Sequence, residues 1–353
     1  MSLGTGFGKV ILFGEHFVVH DLPAIVAGLP WCTTASVHVT EHSSDAVRPD
    51  RGPKVRVEGY DGDSKKSCIT LHDERPRISG VKFLAGKQRA YDQLAQNILE
   101  KMGITDGVHI TLAGDLAVSS GGIGASAATS VAITRALNKL YNFKLSDHEI
   151  NEIALHGERA VHGNPSGIDN TAATYGGLFV FQKNTQPRFI EQTDSLDIVL
   201  IDSGFTTPTP DVIASVRSFK EKNPELVQDL IAQYKTIVQE AELILSEKLH
   251  DNPDNLVRLG TLMNQNHTLL QQLGVSTPEL DDIVSFACKS GALGAKITGT
   301  GRGGLILALT PGDIQERVAK KFITLGYNVL TATLTMSVLD DSNIKRDNII
   351  FTP

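Results

Sequence analysis

The chain has 353 residues, of which 41% are hydrophobic and 21% are charged, as is typical of a globular protein large enough for two domains. Its formal net charge of -7 argues against a surface for nucleic acid or for anionic membranes. There is no apolar run of about 20 residues that would predict a membrane span, and the three cysteines, without metal or disulfide spacing, favour the cytoplasm.

The first segment, residues 8–19, alternates apolar and functional residues and predicts a strand with a turn at Gly14. Lys9 within this apolar run needs a charged partner unless its amine reaches solvent from an edge strand. The spacing of Lys9-Val10 and His16-Phe17 also has the form of an N-terminal import signal of peroxisomes or glycosomes. The alternative, which we favour, is that these residues belong to an active-site strand.

Further along the chain, hydrophobic periodicity predicts mixed α/β structure. Ser146 and Glu149 form the pattern of a capping box at a helix start. The polar stretch 183–194 is the best candidate for a domain boundary, which we place between residues 185 and 186. The other segments predict a polar loop at 43–67, helices at 90–102 and 127–140, a helix from Thr277, and strands at 108–112, 177–182, 198–202, 296–309 (two strands around a glycine turn) and 327–335.

The run of glycine and serine at residues 119–126 precedes a predicted helix. Glycines let backbone amides approach an anion, and a helix N-terminus offers unpaired N–H groups and positive potential. The run therefore predicts a phosphate site, the alternative being a flexible loop. The GxxxxGK[ST] pattern of a P-loop does not occur, and the two GxGxxG matches lack the strand and helix context of a dinucleotide-binding fold.

A second candidate consists of Glu158 near a helix end, the turn 163–167 and Asp169. Two carboxylates brought together by a Pro/Gly turn could serve one metal-phosphate centre. Solvated or capping carboxylates are the alternative.

Three ordered segments resemble the motifs of the GHMP kinase superfamily: GKVILFGEH at 8–16, GIGASAA at 122–128 and KITGTGRGG at 296–304. Within it, GEHFVVH at 14–20, ERAVHGNPSGIDN at 158–170 and MNQNH at 263–267 resemble the mevalonate kinases most closely. The resemblance implies an α/β (α+β) fold of two domains, 1–185 and 186–353. The first would be similar to ribosomal protein S5 domain 2, and the second would be ferredoxin-like.

The resemblance also implies site residues. Asp169 would be the catalytic aspartate and Lys9 the active-site lysine. Ser126 and Glu158 would bind Mg²⁺, and Lys9, Asp169, Glu15, His16 and Thr209 would line the mevalonate pocket, His16 as a hydrogen-bond donor. The phosphates of ATP would lie against Ser120, Gly121, Gly122, Ile123, Gly124, Ala125 and Ser126. Phe7, Val118, Ser119, Ala125 and Arg302 depart from the usual motifs.

The implied reaction is the ATP-dependent phosphorylation of the 5-hydroxyl of mevalonate by a monomer or homodimer. Two alternatives stay open. A phosphomevalonate kinase would need extra Lys or Arg in its acceptor pocket, and no such cluster lies beside the motifs. A catalytically silent ligand sensor on the same fold would not need Lys9, Ser126, Glu158 and Asp169 together.

Overall fold

A computed structural model of the chain describes residues 1–39, 58–59, 69–71, 87–114, 116, 122–190, 195–247 and 252–334. The strands are β1 (Ser2–Phe13), β2 (Ala24–Val39), β3 (Glu58–Gly59), β4 (Ile69–Leu71), β5 (Val108–Ala113), β6 (Leu178–Phe181), β7 (Arg188–Phe189), β8 (Leu196–Asp202), β9 (Gly294–Thr298), β10 (Leu305–Leu309) and β11 (Val329–Leu334). The helices are α1 (Lys87–Met102), α2 (Ala125–Tyr141), α3 (Asp147–His162), α4 (Ile168–Tyr175), α5 (Thr209–Lys222), α6 (Pro224–Ser246), α7 (Pro253–Gln272), α8 (Pro278–Ser290) and α9 (Asp313–Thr324).

The chain divides into two compact units that differ from the predicted domains. The first unit comprises residues 1–9 and those described between 31 and 176, and the second comprises residues 10–30 and those described from 177 onward. The predicted boundary at 185/186 therefore lies inside the second unit. Strands β1 and β2 each contribute residues to both units, and a continuous strand carries no sequence signal at the point where its neighbours change. As a boundary between family domains, 185/186 stays a prediction.

In the first unit, β2 pairs antiparallel with β5, from Thr34 opposite Ala113 to Val39 opposite Val108, and β4 and β3 follow β5 in the sheet. Helices α1, α2 and α3 pack on one another. Their buried apolar side chains, with those of β5, form one core that includes Leu94, Ile98, Ile110, Ile133 and Ile153. Most of the predicted polar loop 43–67 lies outside the described residues.

Helix α3 begins as predicted. The Ser146 side chain accepts a hydrogen bond from the Glu149 backbone N–H, and the Glu149 side chain accepts one from the Ser146 backbone N–H. The reciprocal bonds satisfy two donors that a helix start leaves unpaired. The capping box is confirmed, and it fixes where the helix that carries Glu158 begins.

In the second unit, β2 continues into pairing with β6, which pairs with β7. A separate antiparallel sheet has the order β11-β8-β10-β9. With the intervening helices this is the ferredoxin-like arrangement, in which the fourth strand lies beside the first. The predicted ferredoxin-like domain is thus confirmed in topology. The last strand ends at Leu334, and Thr335 lies outside the described residues.

No helix within the described ranges combines the length and the apolar character needed to cross a membrane.

Candidate active site

The segment before α2 has the geometry of an anion site. Gly122 and Gly124 have φ values of 87° and 77°, in the left-handed region that glycine adopts without steric cost. The Ala128 N–H donates to the Gly124 carbonyl, so the amides of residues 125–127 precede the first intrahelical hydrogen bond of α2. A Cβ on Gly124 would lie 3.0 Å from Lys9 Cγ. Ser120 and Gly121 lie outside the described residues.

Lys9 is buried in β1 and pairs with Asp169. Lys9 Nζ lies 3.2 Å from Asp169 Oδ1, with side-chain exposures of 6% and 36%. The Lys9 backbone N–H donates to the Ile123 carbonyl at 2.9 Å, which fixes the strand against the segment before α2. Asp169 is the second residue of α4, and Gly167, with φ of 92°, is the N-cap of that helix. The interpretation of Lys9 as a buried lysine with a charged partner is confirmed.

Glu158 is a buried carboxylate on α3, 1% exposed. Ser126 Oγ donates to Glu158 Oε2 at 3.3 Å, and Ser130 Oγ donates to Glu158 Oε1 at 3.5 Å. Burial, and secondly the negative charge of Asp169, raise the pKa of Glu158 to about 8, although both serines and Lys9 act in the opposite direction. The ionised form of Glu158 is therefore unfavourable at this position unless further positive charge is present.

The residues around Glu158 fit a hard divalent cation. Carboxylate and hydroxyl oxygens are suitable ligands for Mg²⁺, and a cation would supply the positive charge that Glu158 lacks. Among the described residues, no three His, Cys, Asp or Glu side chains are arranged to hold a metal ion by themselves. Mg²⁺ commonly binds one or two carboxylates and completes its shell with water and phosphate oxygens.

Lys9, Ser126, Glu158 and Asp169 thus lie together in the first unit, although they are far apart in sequence. Sequence reasoning missed His162, one helical turn beyond Glu158. Its Nε2 lies 3.2 Å from Ser126 Oγ and 3.7 Å from Glu158 Oε2. The available signal was the i,i+4 spacing of Glu158 and His162 on one predicted helix.

In the second unit, Glu15 forms an ion pair without solvent exposure. Lys296 Nζ lies 2.5 Å from Glu15 Oε1, and both side chains are 0% exposed. Lys296 Nζ also donates to the Ile297 carbonyl at 2.8 Å. Sequence analysis assigned Glu15 to the substrate pocket and did not identify Lys296 as its partner. The substrate role of Glu15 stays a prediction.

His16 follows in a left-handed conformation, with φ of 62°. Its Nε2 lies 2.8 Å from the Thr300 carbonyl oxygen, so Nε2 carries the proton. Burial lowers the pKa of His16, which favours the neutral ring, and the Nδ1 of that ring is an acceptor. The one donor of the neutral ring is thus bonded to Thr300, and the expected role of His16 as a donor to substrate stays a prediction.

Thr209 begins α5, and none of the hydrogen bonds found among the described residues joins it to Glu15 or His16. Arg302, the departure in the third glycine motif, is accommodated in a left-handed conformation with φ of 51°. Its backbone N–H donates to the Val275 carbonyl at 2.7 Å, and its Nε donates to the Gly274 carbonyl at 3.0 Å. Arg302 therefore ties the glycine turn to the segment that follows α7.

Comparison with known proteins gives the family. Residues 88–177 match the model of the GHMP kinases N terminal domain, and residues 245–328 match that of the GHMP kinases C terminal domain. The mevalonate kinase of Thermococcus sibiricus is 32% identical over 93% of this chain and 95% of its own length. The chain belongs to the mevalonate kinases of the GHMP family. It is an ATP-dependent kinase by this membership, so the predicted family and enzyme class are confirmed.

Two further relatives agree with this assignment to the mevalonate kinases. The mevalonate kinase of Thermococcus onnurineus is 34% identical over 90% of this chain and 91% of its own length. The crystal structure of L. major mevalonate kinase in complex with R-mevalonate is 35% identical, with a TM-score of 0.75 over 95% of this chain and 96% of that one. The predicted two-domain GHMP kinase fold is confirmed.

Three residues of the import-signal pattern are buried in the structure, and the pattern itself stays a prediction. Lys9, Val10 and Phe17 are 5%, 1% and 1% exposed. A receptor reads side chains that it can reach, and these three are buried in the native protein. The active-site interpretation of the same residues requires no such access.

Proposed function

We propose that this kinase transfers the γ-phosphoryl group of ATP to the 5-hydroxyl of mevalonate. The observation that supports the proposal most is the pairing of Lys9 with Asp169 at 3.2 Å. The same unit contains the contact of Ser126 with Glu158 and the start of α2, whose N-cap is Gly124. A proton acceptor, a cation site and an anion site are what phosphoryl transfer to an alcohol requires.

The phosphates would bind at the start of α2. The amides of residues 125–127 and the positive end of the helix would neutralise part of the triphosphate charge. Gly124 would keep Lys9 in place beside these amides, since a Cβ on Gly124 would lie 3.0 Å from Lys9 Cγ. Ser120, Gly121, Gly122 and Ile123 complete the proposed loop.

Ser126 and Glu158 would hold Mg²⁺. A cation held there would supply positive charge against the negative charge that develops on the phosphate oxygens during transfer. Ser130 keeps the other carboxylate oxygen of Glu158 in a hydrogen bond, which orients the carboxylate for this purpose.

Asp169 would accept the proton of the attacking hydroxyl. As the hydroxyl oxygen bonds to the γ-phosphorus, the bond from that phosphorus to the β,γ-bridging oxygen breaks and ADP leaves. Lys9 would hold the Asp169 carboxylate in position and supply positive charge beside the attacking oxygen.

On the acceptor side, His16 would accept a hydrogen bond from a substrate hydroxyl through Nδ1, because Nε2 is bonded to Thr300. Glu15 and Thr209 are proposed as further pocket residues. The L. major relative whose structure contains R-mevalonate supports mevalonate as the substrate. The proposal includes the cytoplasmic location that the cysteine usage favours, with peroxisomes or glycosomes as the alternative.

A substrate panel tests the proposal. ADP release would be measured with R-mevalonate, phosphomevalonate, galactose and homoserine at equal concentrations, and the product identified by ³¹P NMR. We expect ADP release with R-mevalonate alone, and a phosphomonoester product. Release with phosphomevalonate but not with mevalonate would favour the phosphomevalonate kinase, and no release with any acceptor would favour the silent sensor.

A further inference from the structure

Three side-chain atoms at the proposed cation site form a nearly equilateral triangle. Ser126 Oγ lies 3.3 Å from Glu158 Oε2 and 3.2 Å from His162 Nε2, and the third side, from His162 Nε2 to Glu158 Oε2, is 3.7 Å. Adjacent corners of an octahedron with metal-ligand bonds of about 2.1 Å lie about 3.0 Å apart. The triangle therefore has nearly the size of one face of an octahedral site.

We propose that His162 is a third protein ligand of the divalent cation, beside Ser126 and Glu158. The inference rests on the proposed function only in taking the cation to lie at these two residues. An imidazole nitrogen in an otherwise oxygen-rich site favours Co²⁺ and other transition metals over Mg²⁺, which prefers oxygen. His162 is thus a residue that sets the metal preference of the site.

The helix supports this role for His162. Glu158 and His162 are four residues apart on α3, so their side chains project from the same face of the helix. Glu158 is held by burial and by Ser130, whereas the His162 side chain is 42% exposed and contacts Ser126 Oγ through Nε2. All three sides of the triangle must shorten toward about 3.0 Å for the three atoms to bind one cation, and the longest side must shorten most.

A purely structural role is the competing explanation. If the role is structural, His162 Nε2 donates to Ser126 Oγ, and Ser126 Oγ donates to Glu158. The two hydrogen bonds would then only orient the serine. The two roles differ in whether the histidine nitrogen bonds to the metal. They also differ in metal preference, because loss of an orienting bond would weaken all cations alike.

The test uses the 353-residue chain with MnCl2, CoCl2 and MgCl2. Nitrogen coupling to bound Mn²⁺ would be measured by pulsed electron paramagnetic resonance, and affinities by Mn²⁺ titration with Co²⁺ or Mg²⁺ as competitor. The variants are His162→Gln and, as a matched control, His148→Gln, which removes an exposed histidine of the same helix that pairs with Glu152. Glu158→Gln serves as a marker of the site, and circular dichroism verifies that each variant folds.

We expect nitrogen coupling in the parent and in His148→Gln, and none in His162→Gln. His162→Gln should weaken Co²⁺ binding at least about tenfold and leave Mg²⁺ affinity within about twofold. Unchanged nitrogen coupling in His162→Gln, an equal loss for Co²⁺ and Mg²⁺, or Mn²⁺ binding that survives Glu158→Gln would overturn the proposal. If His162→Gln does not fold, absence of nitrogen coupling in the parent overturns it by itself.

The outcome is separable from that of the proposed function. Nitrogen coupling that depends on His162, without ADP release in the presence of mevalonate, would support His162 as a metal ligand and exclude mevalonate as the substrate. Mevalonate-dependent ADP release without nitrogen coupling would support mevalonate as the substrate and exclude His162 as a metal ligand.

Discussion

Glu15 and Lys296 bury two opposite charges, with Glu15 Oε2 lacking a hydrogen-bond partner among the described residues. Breaking such a pair leaves one charge uncompensated, which costs about 3 to 5 kcal/mol. Lys296→Met should therefore lower the free energy of unfolding by an amount in this range, measured by urea denaturation. The double variant Glu15→Gln/Lys296→Met should recover part of the loss, since neither charge then remains.

An exposed ion pair is the matched control for Lys296. Arg258 pairs with Glu240 on the surface of the second unit, where solvent screens both charges. Arg258→Met should change the free energy of unfolding far less than Lys296→Met. Similar losses in the two single variants would contradict the assignment of Glu15 and Lys296 as a structural pair.

The carboxyl of Asp92 on α1 should make the free energy of unfolding depend on pH. Burial raises the pKa of its carboxyl from 3.8 to about 6, so the folded chain holds the proton more tightly than the unfolded chain does. Below about pH 4 the carboxyl is protonated in both the folded and the unfolded chain, and the free energy of unfolding is not reduced by it. As pH rises from about 4 through about 6, the unfolded chain loses the proton more readily, so the free energy of unfolding falls. The Asp92→Asn variant should therefore melt at a higher temperature than the parent at pH 8, and the difference should close near pH 4. An equal difference at both pH values would count against a buried carboxyl.

At the scale of elements, α7 and β9 approach each other at two glycines. A Cβ on Gly294 would lie 2.0 Å from the Gly260 carbonyl oxygen, a backbone atom that cannot move without shifting the helix. Gly294→Ala should therefore separate α7 from the sheet and lower the free energy of unfolding substantially.

Gly103 provides the comparison for Gly294. It has φ of 69° with nothing within 4 Å of an added Cβ, so Gly103→Ala should cost only the left-handed backbone, about 1 to 2 kcal/mol. The loss in Gly294→Ala, measured by the same urea denaturation, should exceed this. Equal losses would mean that the approach of α7 to β9 is not tight.

Local patterns predicted several elements well. The capping box placed the start of α3, Thr277 with Pro278 placed the start of α8, and the glycine run placed the start of α2. Each signal lies within a few residues of the feature that it predicts. The sharing of β1 and β2 between two units depends on pairing with distant strands, and short-range patterns contain no information about such partners.

The same distinction applies to the site. The need of Lys9 for a charged partner is predictable from the sequence, because burial of a charge is unfavourable by itself, whereas only the family resemblance assigns Asp169 to the same active site. Lys296 and His162 were missed. Lys296 lies in a strand whose pattern differs little from that of a surface strand, and its partner Glu15 is 281 positions away.

Over the whole molecule, residues from four separate segments of the chain would act on one phosphoryl group. Lys9 lies in β1, Ser126 in α2, Glu158 in α3 and Asp169 in α4, all within the first unit. Relatives that match over more than nine-tenths of the chain carry the name mevalonate kinase, which supports the substrate for the molecule as a whole.

The most direct measurement is the turnover of Asp169→Asn with ATP and R-mevalonate, beside the affinity of the same variant for ATP by equilibrium titration. Loss of a proton acceptor should lower kcat about 10² to 10⁴-fold. ATP affinity should change little, because the phosphate-binding amides at the start of α2 remain. A variant that binds ATP normally and turns over at the parental rate would contradict the account.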